Sequence, residues 1–462
     1  MAESKVADRV APVEGNSSET RARIMEVVER EQVRFLRLQF TDILGVIKNV
    51  EVPKSQFALA LDGRVMFDGS SIEGFVRIEE SDMRLVPDLA TFRVLPWDEP
   101  RGRVARLICD VHNPDGSEFA GCPRLTLKRA MGRAKALGYD MMTGPEAEFF
   151  LFAGTDAAGE QATSTHDAAG YFDLAPVDRG EDCRRDIVDA LEKMGFEVEA
   201  AHHEVAPAQH EIDFKYADAL ATADNVSTFR WVVRKVARDH GLHATFMPKP
   251  IFGQNGSGMH THQSLFKDGR NAFFDGDDKW HLSDVGKGFI AGQLRHAREI
   301  SAVFAQWVNS YKRLVPGYEA PVYVAWSQRN RSALIRIPLY KPGAEQATRA
   351  EIRCPDPACN PYLTFASLLH AGLEGIERGY ELPEPMETNL YHLTAEQRTE
   401  RGITALPETL GEAISELSQS ELVKKALGPH IFNRYVELKR KEWDDYRVQL
   451  SQWEMDKYLP VL

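Results

Sequence analysis

Glu146, Glu148, Glu204, Glu211, His260, Glu319 and Glu351 are six carboxylates and one imidazole spread over about two hundred residues, all in segments able to aim them into one pocket. Glu146 and Glu148 lie in Gly144-Pro145-Glu146-Ala147-Glu148-Phe149-Phe150-Leu151-Phe152, an apolar run that reads as a buried strand. Residues two apart on a strand point to the same face. Two carboxylates side by side inside a core repel each other and are costly to desolvate unless cations neutralise them. The pattern recurs in Arg349-Ala350-Glu351-Ile352-Arg353-Cys354, where Arg349, Glu351 and Arg353 share one face. A chain that repeatedly aims charge inward builds a polyanion site.

Glu204 and Glu211 flank Pro207-Ala208, a short connection that ends one strand at Glu204 and begins the next near Glu211. His260 follows the glycine-rich stretch Gly253-Gln254-Asn255-Gly256-Ser257-Gly258, where glycines let the backbone approach a ligand closely. Carboxylates with one imidazole suit two hard divalent cations, Mg2+ or Mn2+, and such pairs serve phosphoryl chemistry. Arg313, Arg329, Arg331, Arg336 and Arg353 add forks for carboxylate and phosphate. No Gly-x-x-x-x-Gly-Lys-Ser/Thr loop occurs, and Gly256-Ser257-Gly258 lacks the third glycine of a dinucleotide fingerprint. One such glutamate alone reads as a solvated strand-edge residue, and one such histidine as a hydrogen-bonded one. Glutamates sharing strand faces beside a glycine loop and clustered arginines are hard to read as coincidence.

The elements that must position these residues can be read in outline. Residues 1–19 are polar and weakly patterned, read as a disordered tail. A helix follows, with Ile24, Val27 and Val28 on one face. Next comes a strand over 33–40, in which Leu36, Leu38 and Phe40 alternate with Arg37 and Gln39, then a turn at 41–45 into a second strand. Residues 20–117 read as a small mixed domain and 118–462 as a large one. In the latter, helical patterns at 124–137, 184–194 and 224–240 alternate with strands at 146–152, 196–204, 209–215, 244–249, 332–337 and 349–353, and the last hundred residues are mostly helical. The fold class is α+β.

Composition narrows the functional classes. A chain of 462 residues exceeds one hydrophobic core, and 43% hydrophobic with 27% charged residues is ordinary for a soluble globular protein. A net charge of −13 argues against nucleic acid or an anionic membrane as partner. No apolar run reaches the length of a membrane span, and no signal-peptide segment opens the chain. Five cysteines without a CxxC pair fit a reducing cytoplasm.

Taken together, these segments resemble type I glutamine synthetases from about residue 21 to the end. The match runs through Phe67-Asp68-Gly69-Ser70-Ser71, Glu80-Ser81-Asp82, Lys249-Pro250 onward to Ser264, Asn309-Ser310-Tyr311-Lys312-Arg313-Leu314-Val315-Pro316-Gly317-Tyr318-Glu319-Ala320-Pro321, and Arg329-Asn330-Arg331-Ser332. The resemblance implies a β-grasp-like amino-terminal domain, a catalytic α/β half-barrel with a helical carboxy-terminal region, and a dodecamer of two hexameric rings. Sites would lie between subunits, Asp68 of one chain completing the next. The implied reaction joins ammonium to the γ-carboxylate of glutamate through a γ-glutamyl phosphate made from ATP.

Carried over residue by residue, Glu148, Glu204 and Glu211 resemble ligands of one metal, and Glu146, His260 and Glu351 those of a second. Arg313, Arg331 and Arg353 resemble the clamp on glutamate and the transferred phosphoryl group, with Asn255, Gly256 and Glu319 also meeting glutamate. His262, Ser264, Arg331 and Arg336 are similar to ATP contacts. Asp68, Tyr171, Glu204 and Glu319 resemble the ammonium pocket, with Asp68, Glu319 and Arg331 as catalytic residues. Phe75-Val76-Arg77-Ile78-Glu79 resembles the alpha subgroup, in which the matching arginine, here Arg77, serves feedback inhibition by glutamine. Asn389-Leu390-Tyr391 matches the beta subgroup's adenylylation segment only in part, and modification of Tyr391 is not expected. Lys341–Gln346 is a few residues longer than the usual alpha-type connection before Glu351.

Two other readings make distinct demands. A sister ligase using an amine or polyamine would have lost the acids of the ammonium pocket, but Asp68 and Glu319 are present. A non-catalytic regulator would lack a metal ligand, and all six are present. A nitrogen-regulatory protein partner is compatible with the sequence.

Overall fold

The computed structural model describes residues 18–72, 74, 82–97, 100–154 and 164–462. The tail expected over 1–19 falls almost wholly outside the described residues. A helix over Ser18–Arg30 buries Thr20, Ile24, Val27 and Val28 on one face, as the spacing of its apolar residues requires. Five strands follow: β1 (Val33–Thr41), β2 (Ile47–Pro53), β3 (Val65–Asp68), β4 (Asp82–Val94) and β5 (Arg103–His112). They form one sheet in the order β2-β1-β5-β4-β3, in which only β1 and β5 run parallel. The turn from β1 to β2 closes because Asp42 Oδ1 accepts from Leu44 and Val46 N–H, with Gly45 at φ +82°.

The second sheet has ten strands: β6 (Asp140–Ala153), β7 (Val198–His203), β8 (Gln209–Phe214), β9 (Ala217–Asp218), β10 (Leu242–Thr245), β11 (Met259–Lys267), β12 (Arg270–Asn271), β13 (Tyr323–Ser327), β14 (Ala333–Arg336) and β15 (Ala350–Ile352). Its main path is β13-β14-β15-β11-β6-β8-β7. β6 is the spine, pairing with β8, β9, β10 and β11. Ala147, Phe149 and Leu151 point into the main core beside Phe229, Val232 and Val233 of the helix Ala219–Asp239. Glu146 and Glu148 therefore face the other way.

Two of the expected elements shift. The strand expected at 244–249 ends at Thr245, before Pro248 and Pro250, which have no N–H to give a ladder. His260, expected off a glycine loop, lies on β11, where Met259, Thr261, Gln263 and Leu265 are buried and His260 and His262 alternate with them. Behind the sheet, the helices Asp284–Phe304 and Pro361–Arg378 cross at backbone contact. A Cβ on Gly292 would lie 2.1 Å from Ala371 O, so no larger residue fits that crossing. The helix Glu421–Arg447 bends at Gly428-Pro429.

Candidate active site

Strand register brings the dispersed carboxylates together. Across β6 and β11, Glu146 stands opposite His260; across β6 and β8, Glu148 stands opposite Glu211; across β14 and β15, Arg336 stands opposite Glu351. Glu204 sits just beyond β7, where its N–H donates to Gln209 O at 2.7 Å and closes the turn into β8. The expectation that Pro207-Ala208 makes a tight connection is met: Ala208 adopts φ +63° at its tip.

Among the described residues four clusters of potential ligands occur, and two of them line the cleft. Glu146, His260 and Glu351 offer atoms within 4.8 Å of one another, and so do His202, Glu204 and Glu211. The first group is charge-balanced. His262 Nε2 lies 2.6 Å from Glu146 Oε1, and His260 Nδ1 lies 3.3 Å from Glu146 Oε2. Burial alone would raise the Glu146 carboxyl, but the two imidazoles outweigh it and hold it well below the usual range. Glu351 is fully buried and ion-paired to both Arg336 and Arg353. Burial opposes its ionisation, yet Arg353 and the neighbouring histidines keep its carboxyl low. Burial and Arg353 push the His260 imidazole down to about 4, leaving the neutral ring that ligates metals.

The second group becomes acid-rich because Glu148, opposite Glu211 across β6 and β8, faces it together with Glu204. Burial, with Glu211 and Glu204 facing it, pushes the Glu148 carboxyl well above its ordinary range. Burial and then Asp213 raise Glu211 to about 10, and burial and then Glu146 raise Asp213 to about 7. Among the described residues the hydrogen-bond donors to Glu148 are neutral, Gln209 Nε2 at 2.7 Å and Gly258 N at 3.0 Å. Hard oxygen donors crowded this way fit a divalent cation, because a cation reverses their mutual repulsion. The donor set of the other group, two carboxylates and one imidazole, fits a second ion.

The predicted substrate residues surround these groups. Asn255 Nδ2 donates to Glu319 Oε2 at 3.0 Å, and Glu319 is held at φ +56° just after Gly317 at φ +94°. Gly256 packs so closely that a Cβ would lie 2.2 Å from Pro248 O, and its carbonyl accepts from Gln209. Arg313 is buried and donates to the carbonyls of Arg353, Cys354 and Pro355. Half-exposed Tyr171 stacks on Phe172 and has Glu204, Arg331, Glu211 and Glu319 as its charged neighbours. His262 and Ser264 line a cavity of about 430 Å³ together with Glu146, Tyr216, Thr348 and Arg349.

One predicted residue stands apart. Exposed Asp68, at the end of β3, accepts from Ser70 N at 2.8 Å and makes no hydrogen bond to the cluster among the described residues. Arg77 lies outside the described residues. Sequence reasoning missed Gln209, His202 and Asp213. Gln209, Glu211 and Asp213 share one face of β8 by the same two-residue alternation that revealed Glu146 and Glu148, and His202 stands opposite Glu211 across β7 and β8. The tyrosine of the partial adenylylation segment is occupied: Tyr391 Oη donates to Ala320 O at 2.7 Å.

Comparison with known proteins identifies the family. The family described as Glutamine synthetase, beta-Grasp domain, matches residues 32–114, and Glutamine synthetase, catalytic domain, matches residues 120–458. The chain is 59% identical to a glutamine synthetase of Thermus thermophilus over 95% of its length and 99% of the relative's. It is 54% identical to one of Methanosarcina mazei over 96% of its length and 98% of the relative's. Among solved structures, a GmaS in complex with ADP is 32% identical with a TM-score of 0.84, covering 94% of this chain and 99% of that one. The Plasmodium falciparum glutamine synthetase is 25% identical, also with a TM-score of 0.84, covering 95% of this chain and 98% of that one. Sheet, cleft and both matched domains place the conclusion beyond a short motif: the chain belongs to the glutamine synthetase family.

Proposed function

We propose that the cleft performs the family's reaction, ATP-dependent formation of glutamine from glutamate and ammonia, with the following division of labour. The observation that carries it is the placement of an acid-rich triad and an arginine-balanced triad side by side along β6. Glu148, Glu204 and Glu211 hold one divalent cation, and Glu146, His260 and Glu351 hold another. Both sets suit Mg2+ and Mn2+. Bound there, the ions neutralise charge on the polyphosphate and on the transferred phosphoryl group.

The chain's own residues do the rest. Arg313, Arg331 and Arg353, with Asn255, Gly256 and Glu319, orient glutamate so that its γ-carboxylate meets the γ-phosphate. Arg331 and Arg336, with His262 and Ser264 in the cavity beside Glu146, hold ATP. Glu204, Glu319 and Tyr171 form a negative pocket for ammonium. Asp68 from a neighbouring chain completes that pocket and takes the proton, so that ammonia attacks the γ-glutamyl phosphate. The Glu319 segment closes against Asn255 and keeps water from the acyl phosphate. Two stacked hexameric rings in the cytoplasm, with glutamine inhibition through Arg77, complete the reading. Among the described residues no helix is long and apolar enough to cross a membrane.

An amine is the alternative acceptor, and the 59% identity to a glutamine synthetase together with the retained Asp68 and Glu319 favours ammonium. The deciding experiment measures phosphate release with ATP, glutamate and Mg2+, comparing ammonium with a panel of amines. Turnover with ammonium that falls about 100-fold in Asp68→Ala is the expected result. Turnover only with an amine would move the chain to the amine ligases, and none with any acceptor would overturn the catalytic reading.

A further inference from the structure

We infer that Asp167 is a positioning residue that fixes the β7–β8 turn and, through it, the metal-binding geometry of Glu204 and Glu211. The inference rests on the assignment of Glu148, Glu204 and Glu211 to one cation.

Asp167 lies outside the cleft, on the segment that leads to Tyr171, with its side chain about 1% exposed. Its two oxygens meet donors from three stretches of chain. Oδ1 accepts from Ala208 N at 3.0 Å and faces His203 Nε2 at 3.3 Å. Oδ2 accepts from Arg179 N at 3.2 Å and lies 3.0 Å from His166 Nε2. The opposite nitrogen of His203, Nδ1, lies 2.7 Å from Glu204 O. One carboxylate thus holds both limbs of the turn. His203 links it to the backbone of Glu204, and Ala208 links it to the strand that begins Gln209-His210-Glu211.

The turn needs such a hold. Ala208 is a non-glycine residue at φ +63°, a left-handed conformation that persists only where its surroundings impose it. The next residue, Gln209, donates to Glu148, so all three acids of the triad depend on the same turn. The three N–H groups of Ala169, Arg179 and Ala208 and the two imidazoles around Asp167 favour an ionised carboxylate. An asparagine of the same size would turn an NH2 toward one of these donors.

The test is Mn2+ binding to the full-length enzyme, followed by electron paramagnetic resonance, for wild type and Asp167→Asn. The variant is expected to weaken one class of Mn2+ site 10- to 100-fold and leave the other within about twofold. Adding Ala208→Gly, which makes the turn conformation intrinsically easy, is expected to restore part of that loss. If Asp167→Asn fails to fold, His203→Gln carries the test through the same selective loss. Asp110→Asn, which breaks a buried ion pair with Arg124 far from the turn, is expected to lower the melting temperature and leave both Mn2+ constants unchanged. Wild-type Mn2+ constants in Asp167→Asn, or both classes weakened equally, would overturn the inference. Unchanged binding in Glu211→Gln would instead overturn the assignment of the triad, and the inference with it.

Discussion

At the scale of single residues, the cleft divides into acids that are already neutralised and acids that are not. Glu351 between Arg336 and Arg353 is the first kind; Glu148 and Glu211 are the second. This difference sets a pH dependence. Without divalent ions, Glu211 (raised to about 10) and Asp213 (raised to about 7) hold protons in the folded chain that the unfolded chain has released. The folded state then binds more protons, so stability falls as pH rises from about 5 to about 9. Thermal unfolding in chelator should show that slope, and saturating Mg2+ should flatten it; a flat profile in chelator would contradict the account. By the same logic Glu148→Gln should be as stable as wild type or about 1 kcal/mol more stable in chelator, while losing most activity. The shared facing of Glu146 and Glu148 was legible in the sequence because β-strand alternation is a two-residue rule that survives without a structure. Gln209 and Asp213 obey that rule too, but a glutamine and a third acid on a strand do not signal a site by type alone.

At the scale of elements, the segment Met386–His392 braces both loops that carry substrate residues. Glu387 accepts from Ser327 Oγ and from the N–H groups of Gln328 and Arg329, Leu390 N donates to Ser332 Oγ, and Tyr391 Oη donates to Ala320 O. Tyr391→Phe should therefore leave Ala320 without its donor, at a cost of about 1 kcal/mol. The expected signature is a raised KM for ammonium or glutamate with kcat largely kept; unchanged constants would show that Glu319 is placed without this brace. The helices Pro123–Ala136, Glu181–Lys193 and Ala219–Asp239 were read from their periodicity, whereas the long helix Asp284–Phe304 and the strands β4, β5 and β13 were not. Nor was β11, because Gly253–Gly258 upstream masks the alternation that begins at Met259. The long connection Lys341–Gln346 could be counted but not placed: Asn271 ties it down, donating to Gln346 and Thr348 carbonyls, and no local signal announces that pairing.

At the scale of the molecule, the two sheets are locked by a buried charge cluster. Arg124 bridges Asp110 of β5 at 3.0 Å, Asp88 of β4 at 2.8 Å and Asp224 of the helix Ala219–Asp239 at 2.8 Å. Arg124→Ala would leave Asp110 with Lys128 alone and Asp224 with only the Tyr362 hydroxyl among the described residues, and should destabilise the fold by about 3–5 kcal/mol, read as a lower denaturant midpoint. Such long-range pairing is invisible to periodicity, which reports faces and not partners. The exposed position of Asp68 yields a sharper test of assembly. Mixed oligomers of Asp68→Ala and Glu211→Gln chains, each inactive alone, should regain about a quarter of the wild-type sites if neighbouring chains complete one another in a ring. No recovery on mixing would mean that each chain works alone.

The register of β6 against β8 and β11 has a consequence for how this chain is made. A slip of one residue would turn Ala147 and Phe149 into the cleft and drive Glu146 and Glu148 into the core. Misassembly and inactivity are then a single event, because the strand that would lose its ligands would also lose its packing. Folding quality and divalent-ion retention become one measurable property, so in a refolding mixture the ions retained should count the correctly registered molecules.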